Sequence, residues 1–179
     1  MKLFKLIALT FLIFAQQSCS NPQKDLHDKI IGLENDFKKN LSGKIEQAKV
    51  NDLIKLYEEY TTKYKSDSLT TRYIFETANL YMGQNNPNKA LAACDKIIKE
   101  YPQSPQLVNA YFFKGFIFDE KLKDIESAKA AYKEVYTRFP QSDLADDAKI
   151  LYERAGKPME EWINEISKND TTVAEEIVK

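Results

Sequence analysis

Tyr101-Pro102-Gln103-Ser104 and Phe139-Pro140-Gln141-Ser142 are two copies of one short motif, and their prolines are separated by 38 residues (140 − 102). The stretch before each copy contains a small residue, an aromatic residue three positions later and then an alanine. These residues are Ala78, Tyr81 and Ala90 in the first stretch and Gly115, Phe118 and Ala128 in the second. Repeats of this length form helical hairpins that bury their apolar faces only by stacking. The sequence therefore predicts an all-α fold, a short α-solenoid of stacked antiparallel helical hairpins.

Apolar residues at helical spacing extend on both sides of the two motifs. The chain has five glycines, and no alternating pattern is long enough to predict a strand. We expect Ser104, Asp124 and Ser142 to cap the helices that follow them, and Pro87 to lie in the first turn of a helix. The predicted helices cover residues 25–40, 46–64, 69–82, 88–100, 105–121, 125–138, 143–155 and 158–167.

Residues 1–18 have the pattern of an export signal peptide. Lys2 and Lys5 precede an apolar run over residues 6–15, which is too short to span a bilayer comfortably. A polar segment that ends in Cys19 follows this run. The placement of Cys19 resembles that in a bacterial lipobox, where the thiol is acylated after cleavage. This resemblance predicts a lipid anchor (palmitate) on Cys19, and an ordinary secretory signal and a plain membrane anchor are the alternatives.

The mature chain would contain 161 residues (179 − 18), enough for one domain with a sizeable core. Its 24 basic residues (26 − 2) stand against 27 acidic ones, so it offers no basic surface for nucleic acid. In bacterial lipoproteins an aspartate directly after the acylated cysteine favours retention in the inner membrane, so Ser20 predicts transport to the outer membrane. The predicted parts are a tether (19–24), an N-terminal helix and linker (25–45), a helical repeat domain (46–167) and a flexible tail (168–179).

The repeated pattern resembles that of tetratricopeptide repeat proteins, which combine Leu-Gly-x2-Tyr, Ala-x3-Phe and a closing proline. The resemblance is strong over residues 72–140 and extends over roughly 46–156, although Thr77 and Lys114 stand where the family has leucine. The matching residues are Ile74, Ala78, Tyr81, Ala90, Cys94 and Pro102 in the first repeat and Tyr111, Gly115, Phe118, Ala128, Tyr132 and Pro140 in the second. The closing motif is similar to that of an envelope subgroup, which includes the outer-membrane barrel-assembly lipoprotein and the Tol–Pal-associated coordinator.

The resemblance also implies a candidate binding site. In tetratricopeptide arrays the first helix of each hairpin lines a concave groove in which partner peptides bind. In the first repeat, Ile74, Ala78 and Tyr81 form the face of the helix that packs inward. The residues next to this face are Arg72, Phe75 and Asn79, and their equivalents in the second repeat are Asn109, Phe112, Phe116 and Asp119. Their polar groups would hold a peptide backbone or carboxylate, and the phenylalanines would hold apolar side chains. The alternative is that flanking helices cover these phenylalanines and make them core residues.

The remaining candidates for chemistry have simpler interpretations. Cys94 lies on the same apolar helix face as Leu91, Ile97 and Ile98, and no basic residue one turn away would lower the pKa of its thiol. We therefore expect a buried, unreactive thiol. His27 is the only histidine, and we expect it to be solvated. Carboxylates that are adjacent in sequence do not face each other on a helix, which disfavours paired acid–base catalysis. The sequence therefore predicts no enzyme activity, no metal site and no cofactor.

These features lead to one functional interpretation and one alternative. The first is a lipid-anchored scaffold or adaptor at the outer membrane, facing the periplasm, whose helical repeat surface binds an unidentified envelope protein. We expect its domain to be monomeric and to bind no nucleic acid. The alternative is a structural spacer without a client peptide, which self-associates through residues 25–40, where acidic residues and lysines are interspersed.

Overall fold

The computed structural model describes residues 21–39, 46–158 and 161, and no strand occurs in these ranges. Each helix packs against the next one along the chain. The all-α prediction is therefore confirmed. The helices are α1 (Pro22–Lys39), α2 (Gln47–Lys63), α3 (Thr70–Gly83), α4 (Pro87–Glu100), α5 (Leu107–Phe116), α6 (Ile125–Arg138) and α7 (Ala145–Arg154). The predicted signal peptide, Cys19, residues 40–45, most of the last predicted helix and the predicted tail lie outside the described residues.

Three apolar clusters follow one another along the stack of helices. The α1–α3 cluster contains Ile30, Tyr60 and Tyr73, and the α3–α5 cluster contains Ala78, Cys94 and Ile97. The α5–α7 cluster contains Ala128, Tyr132 and Val135. Neighbouring clusters share a helix, α3 in one case and α5 in the other. The helices therefore form a solenoid in which each hairpin completes its core against the next hairpin, as the sequence predicts.

Small residues at the helix crossings allow the helices of each hairpin to approach closely. Ala78, Ala90 and Ala128 are fully buried. A Cβ atom added to Gly115 would lie 2.6 Å from the Cδ1 and Cε1 atoms of Tyr132, a separation that real Cβ atoms do not adopt. The Tyr132 ring thus occupies the space that any side chain at position 115 would need. Position 115 is glycine because of this contact between α5 and α6.

The junctions that precede α3, α5 and α7 share one hydrogen-bonded turn. Their turn residues, Asp67, Ser104 and Ser142, are 37 (104 − 67) and 38 (142 − 104) residues apart. In each turn the side-chain oxygen accepts a hydrogen bond from the backbone N–H two residues later, at 2.8 Å for Leu69, 3.0 Å for Gln106 and 3.2 Å for Leu144. The junction at Asp67 therefore extends the repeat to the α1–α2 hairpin.

Because of this turn, α5 and α7 begin later in the sequence than predicted. The sequence predicts that Ser104 and Ser142 cap helices that begin at the next residue. Instead the helices begin at Leu107 and Ala145, and Gln106 and Leu144 occupy the cap positions. The backbone N–H groups of Leu107 and Ala145 donate to the carbonyl oxygens of the two serines, at 3.1 and 2.9 Å. These bonds close a turn before the helix, so each serine holds a turn and caps no helix.

α5 does not continue as a regular α-helix to residue 121. Ile117–Leu122 forms a π-helical segment, and Lys123 then adopts a left-handed conformation with φ of 55°. Asp124 follows as the cap of α6, and its side chain accepts a hydrogen bond from the Ser127 N–H at 3.1 Å. The predicted cap at Asp124 is confirmed. The π-helical segment changes the direction in which the side chains after Phe116 point.

α1 begins at Pro22, so residues 22–24 of the predicted tether are helical. The Gln23 side-chain amide donates to the Tyr60 hydroxyl oxygen at 3.0 Å and to Asp67 Oδ2 at 2.7 Å. The Tyr60 hydroxyl also donates to Asp67 Oδ1, at 2.9 Å. These bonds tie the start of α1 to α2 and to the turn before α3. They explain why the helix extends further towards the N-terminus than its apolar pattern indicates.

The ionised form of Asp67 stabilises this junction. Burial on its own would raise the pKa of Asp67, but the hydrogen bonds from Leu69, Tyr60 and Gln23 outweigh it and lower the pKa below its ordinary value. A carboxyl whose pKa is depressed in the folded state contributes stability above its unfolded pKa. That contribution is lost as the pH falls through the folded pKa.

Candidate functional site

Three phenylalanines form a row across the first helices of two successive hairpins. The ring centroids of Phe75 on α3 and Phe113 on α5 are 5.6 Å apart in an edge-to-face arrangement. Phe113 stacks on Phe116, with centroids 6.1 Å apart and an interplanar angle of 3°. Phe116 is 37% exposed, and the other two rings are half-buried. This phenylalanine row (Phe75, Phe113 and Phe116) places an accessible aromatic ring beside partly covered ones.

Phe113 is the member of this row that we did not predict. The spacing of Phe113 and Phe116 was the available signal, because residues three apart lie on the same side of a helix. Phe112 points away from the row. Its ring meets that of Tyr132 edge to face at 5.9 Å, and it packs into the α5–α7 cluster. The structure therefore brings Phe75 and Phe116 together through Phe113. Phe75 and Phe113 also pack against the α3–α5 cluster, as Phe112 does against the α5–α7 cluster.

The Arg72 side chain binds a glutamate on α1. Its Nη2 atom donates to Oε2 of Glu34 at 3.0 Å and to Oε1 at 3.2 Å. The Glu34 side chain is 10% exposed and also accepts a hydrogen bond from the Tyr57 hydroxyl at 2.8 Å. Burial and this carboxylate raise the pKa of the Tyr57 hydroxyl well above its ordinary range. Arg72, Glu34 and Tyr57 thus join α3, α1 and α2 in one polar contact.

The two asparagines of the candidate site make matching local bonds. The Asn79 amide donates to Oε2 of Glu76 at 3.2 Å, and the Asn109 amide donates to Oε1 of Gln106 at 2.9 Å. Both asparagines are half-buried. Each bond closes a single helical turn and joins no other helix. Asn79 and Asn109 therefore hold no tertiary contact through these bonds, unlike Arg72.

Asp119 lies at a different place, on the π-helical segment. It lines a cavity of about 430 Å³ together with Lys123, Leu151, Arg154 and Pro158. Burial and the neighbouring Glu120 carboxylate raise the pKa of Asp119, whereas Lys123 and Arg154 act in the opposite direction. The cavity lies at the end of α7, so the structure separates Asp119 from the phenylalanine row.

The thiol of Cys94 and the imidazole of His27 are both removed from solvent at least in part. Cys94 is fully buried, and burial raises its pKa to about 12, so the thiol is protonated and unreactive at neutral pH. His27 corrects our expectation of a solvated ring. It is half-buried, and its Nδ1 atom is hydrogen-bonded to the Tyr73 hydroxyl at 2.6 Å. This bond adds to the polar contacts of α1.

Residues 21–39, 46–158 and 161 also bear on metal binding and on membrane spanning. No group of three or more His, Cys, Asp or Glu side chains in these ranges is placed to hold a metal ion. None of the helices described there combines the length and the apolar composition that crossing a bilayer requires.

The stacked hairpins define a helical repeat protein in which the phenylalanine row crosses the first helices of two hairpins. Residues 73–104 and 110–142 match the family model of the tetratricopeptide repeat. These two stretches therefore match tetratricopeptide repeats, and the resemblance predicted from the sequence is confirmed for them. The matched ranges correspond to α3–α4 and α5–α6 with the turns that follow them.

The chain is also similar to curated outer membrane protein assembly factors. It is 23% identical over 128 residues to the outer membrane protein assembly factor BamD of Caulobacter vibrioides, an alignment that covers 65% of this chain and 42% of that protein. It is 27% identical over 112 residues to BamD of Neisseria meningitidis serogroup B, covering 53% of this chain and 42% of that protein. The chain thus spans less than half the length of the curated relatives it matches.

Proposed function

We propose that this protein is a lipid-anchored adaptor on the periplasmic side of the outer membrane, and that it binds another envelope protein. The proposal is supported by the tetratricopeptide repeats and by the similarity to outer membrane assembly factors. The proposal depends above all on the phenylalanine row, in which the exposed Phe116 ring stacks on Phe113. Aromatic side chains at the centre of a surface patch commonly dominate the energy of protein–protein interfaces.

Polar groups beside the row suit a peptide ligand. Asn109 lies four and seven residues before Phe113 and Phe116, so the three share one side of α5. Asn79 and Phe75 have the same four-residue relation on α3. Amide side chains next to aromatic rings can bond a peptide backbone while the rings contact its apolar side chains. Asn79, Asn109 and the phenylalanine row are therefore the surface that we propose for the partner, and Arg72 is left out of it because it binds Glu34 on α1.

The packing of α1 favours the adaptor over the self-associating spacer. Leu26 and Ile30 are buried, and Leu33 and Phe37 pack against the same α1–α3 cluster. The apolar face that a coiled coil would need is thus used within the chain. We therefore propose a monomeric domain, which light scattering after size-exclusion chromatography would check.

Site-specific photocrosslinking in cells tests the partner surface. We expect a photoreactive amino acid at position 116 to link the chain to one discrete envelope protein. The same group at Lys133, an exposed position on α6, should give no such product and serves as the matched control. Equal products from both positions, or none from position 116, would place partner binding elsewhere on the molecule.

The lipid anchor is tested by the Cys19→Ser variant. We expect it to incorporate no radiolabelled fatty acid and to move from the membrane fraction to the soluble periplasm, because the serine hydroxyl does not replace the acylated thiol. Each buried methylene of a lipid chain contributes about 0.8 kcal/mol to membrane binding, so loss of the chains removes most of the affinity. A variant that stays in the membrane, together with a wild type that takes up no lipid, would refute the anchor.

A further inference from the structure

The helix α1 begins very close in sequence to the residue that we propose as the lipid anchor. Asn21 caps this helix, because its side-chain oxygen accepts hydrogen bonds from the backbone N–H groups of Gln23 and Lys24 at 3.1 and 3.2 Å. Only Ser20 separates Asn21 from Cys19. Two peptide units span at most about 7 Å, so covalent geometry alone keeps a lipid on Cys19 near the start of α1.

The start of α1 belongs to one edge of the solenoid. The Gln23 amide donates to Tyr60 near the end of α2 and to Asp67 in the turn before α3. Short turns join the helices from α2 to α7, so consecutive helices run in opposite directions. The ring contact between Phe75 and Phe113, the sixth residue of α3 and the seventh of α5, agrees with two first helices that start side by side. This turn edge consists of the start of α1 and the turns over residues 64–69, 101–106 and 139–144.

We propose that the turn edge faces the bilayer surface, and that the short link from Cys19 to Asn21 sets this orientation. The inference rests on the lipid anchor of the proposed function. A long linker would let the anchored domain rotate freely, whereas this link holds the start of α1 at the lipid headgroups. The buried Leu26 and Ile30 fix α1 to α2 and α3, so the whole solenoid takes its orientation from α1.

The ion pairs at the turn edge direct their cations towards it. Lys24 pairs with Asp28 in α1, Lys63 with Glu59 in α2 and Arg138 with Glu134 in α6, at 2.6, 2.6 and 2.8 Å. In each pair the basic residue is the one nearer the edge, and the carboxylate lies one turn further away. In α1 this order is opposite to the one that the helix dipole favours. A membrane surface with anionic lipids would attract the basic side chains.

The other exposed residues of the turn edge are compatible with headgroup contact. Pro102, Gln103, Pro140 and Gln141 carry no charge. Within residues 21–25, 62–68, 99–105 and 137–143, the exposed basic residues are Lys24, Lys63, Lys65, Lys99 and Arg138, and the exposed acidic ones are Asp25, Glu100 and Asp143. The carboxylate of Asp67 is half-buried and hydrogen-bonded to Tyr60. The edge therefore has no excess of negative charge that anionic headgroups would repel.

This orientation names the kind of partner that the phenylalanine row fits. Phe75 lies five residues after Thr70 (75 − 70), and Phe116 lies nine residues after Leu107 (116 − 107). These separations correspond to about 8 and 14 Å along the helix axes. The row is thus close to the turn edge, and a partner bound there is an envelope protein that presents a segment next to the membrane.

Fluorescence quenching by labelled lipids tests the orientation. The lipid-anchored full chain is reconstituted in vesicles of phosphatidylethanolamine and phosphatidylglycerol that include lipids with a nitroxide on the headgroup. A fluorophore is attached at the turn edge through Gln103→Cys or Gln141→Cys. The matched controls, Asn88→Cys and Glu126→Cys, lie at the starts of α4 and α6, and all four positions are exposed. The native Cys94 is fully buried and stays unlabelled.

Labels at the turn edge should lose most of their fluorescence, and the controls should lose little. The reason is distance, because α4 and α6 have 14 residues each and separate the two sets by about 21 Å. Equal quenching at the four positions, or stronger quenching of the controls, would overturn the orientation and leave the anchor intact. A chain that carries no lipid and does not float with the vesicles would overturn the anchor, and this inference with it.

A longer link tests the role of Asn21 and its neighbours. Inserting about 20 glycine and serine residues between Ser20 and Asn21 adds a flexible linker with a root-mean-square length of about 25 Å. That length is comparable with the distance between the two edges, so the four labels should then be quenched to similar extents. A difference that survives the insertion would show that the short link does not set the orientation.

Discussion

Replacing Gly115 with leucine is expected to destabilise the protein by about 3 kcal/mol. The new Cβ would lie 2.6 Å from two carbon atoms of the Tyr132 ring. That ring is fully buried and packed against Phe112, so moving it would disturb the surrounding core. The α5–α6 pair would have to separate, which disrupts the α5–α7 cluster. Denaturant unfolding followed by circular dichroism would measure the loss, with an expected fall in Tm of about 10 °C.

Gly32 provides the control for this substitution. It lies within α1, is exposed, and a Cβ atom there would meet no atom within 4 Å. Gly32→Ala should therefore raise stability by up to about 1 kcal/mol, because alanine has the higher helix propensity. Opposite signs for the two variants would show that packing, and not backbone freedom, determines the glycine at 115. A Gly115→Leu variant that unfolds with the wild-type midpoint would contradict the close contact between α5 and α6.

The period of the repeat and its small residues were sufficient to predict the fold. Ala78, Ala90, Gly115 and Ala128 recur at positions where helices cross, and the structure places all four at those crossings. The starts of α5 and α7 could not be predicted, because a serine at this spacing can either cap a helix or close a turn. The backbone bonds from Leu107 and Ala145 decide between these choices.

The candidate site was harder to predict, because it depends on how neighbouring hairpins pack. Phe112 and Phe113 are adjacent and point about 100° apart on a helix, so spacing within one repeat does not show which faces α3. The contact between Arg72 and Glu34 joins residues 38 positions apart and depends on the docking of α1. The π-helical segment Ile117–Leu122 changes the direction in which the Asp119 side chain points, and the apolar pattern of the sequence does not predict this change. Local pattern predicts the elements, whereas these three outcomes depend on tertiary contacts.

The last prediction separates the phenylalanine that supports the fold from the one that we assign to binding. Phe112→Ala should destabilise the protein by about 3 kcal/mol, because the ring packs against Tyr132 within the α5–α7 cluster. Phe116→Ala should cost less than about 1 kcal/mol, because its ring is 37% exposed and the neighbouring Phe113 stays in place. Unfolding midpoints of the two variants measure this difference.

The binding readout should show the reverse order. With a photoreactive group at Asn109, Phe116→Ala should lower the yield of the crosslinked partner about 10-fold or more, since an aromatic anchor commonly contributes about 2 kcal/mol to an interface. Phe112→Ala, measured at a temperature at which it remains folded, should keep most of the yield. A Phe116→Ala variant with wild-type stability and wild-type yield would exclude the phenylalanine row as the partner surface. The cavity beside Asp119 would then be the part of the predicted site still to be tested, because Arg72 is already paired with Glu34.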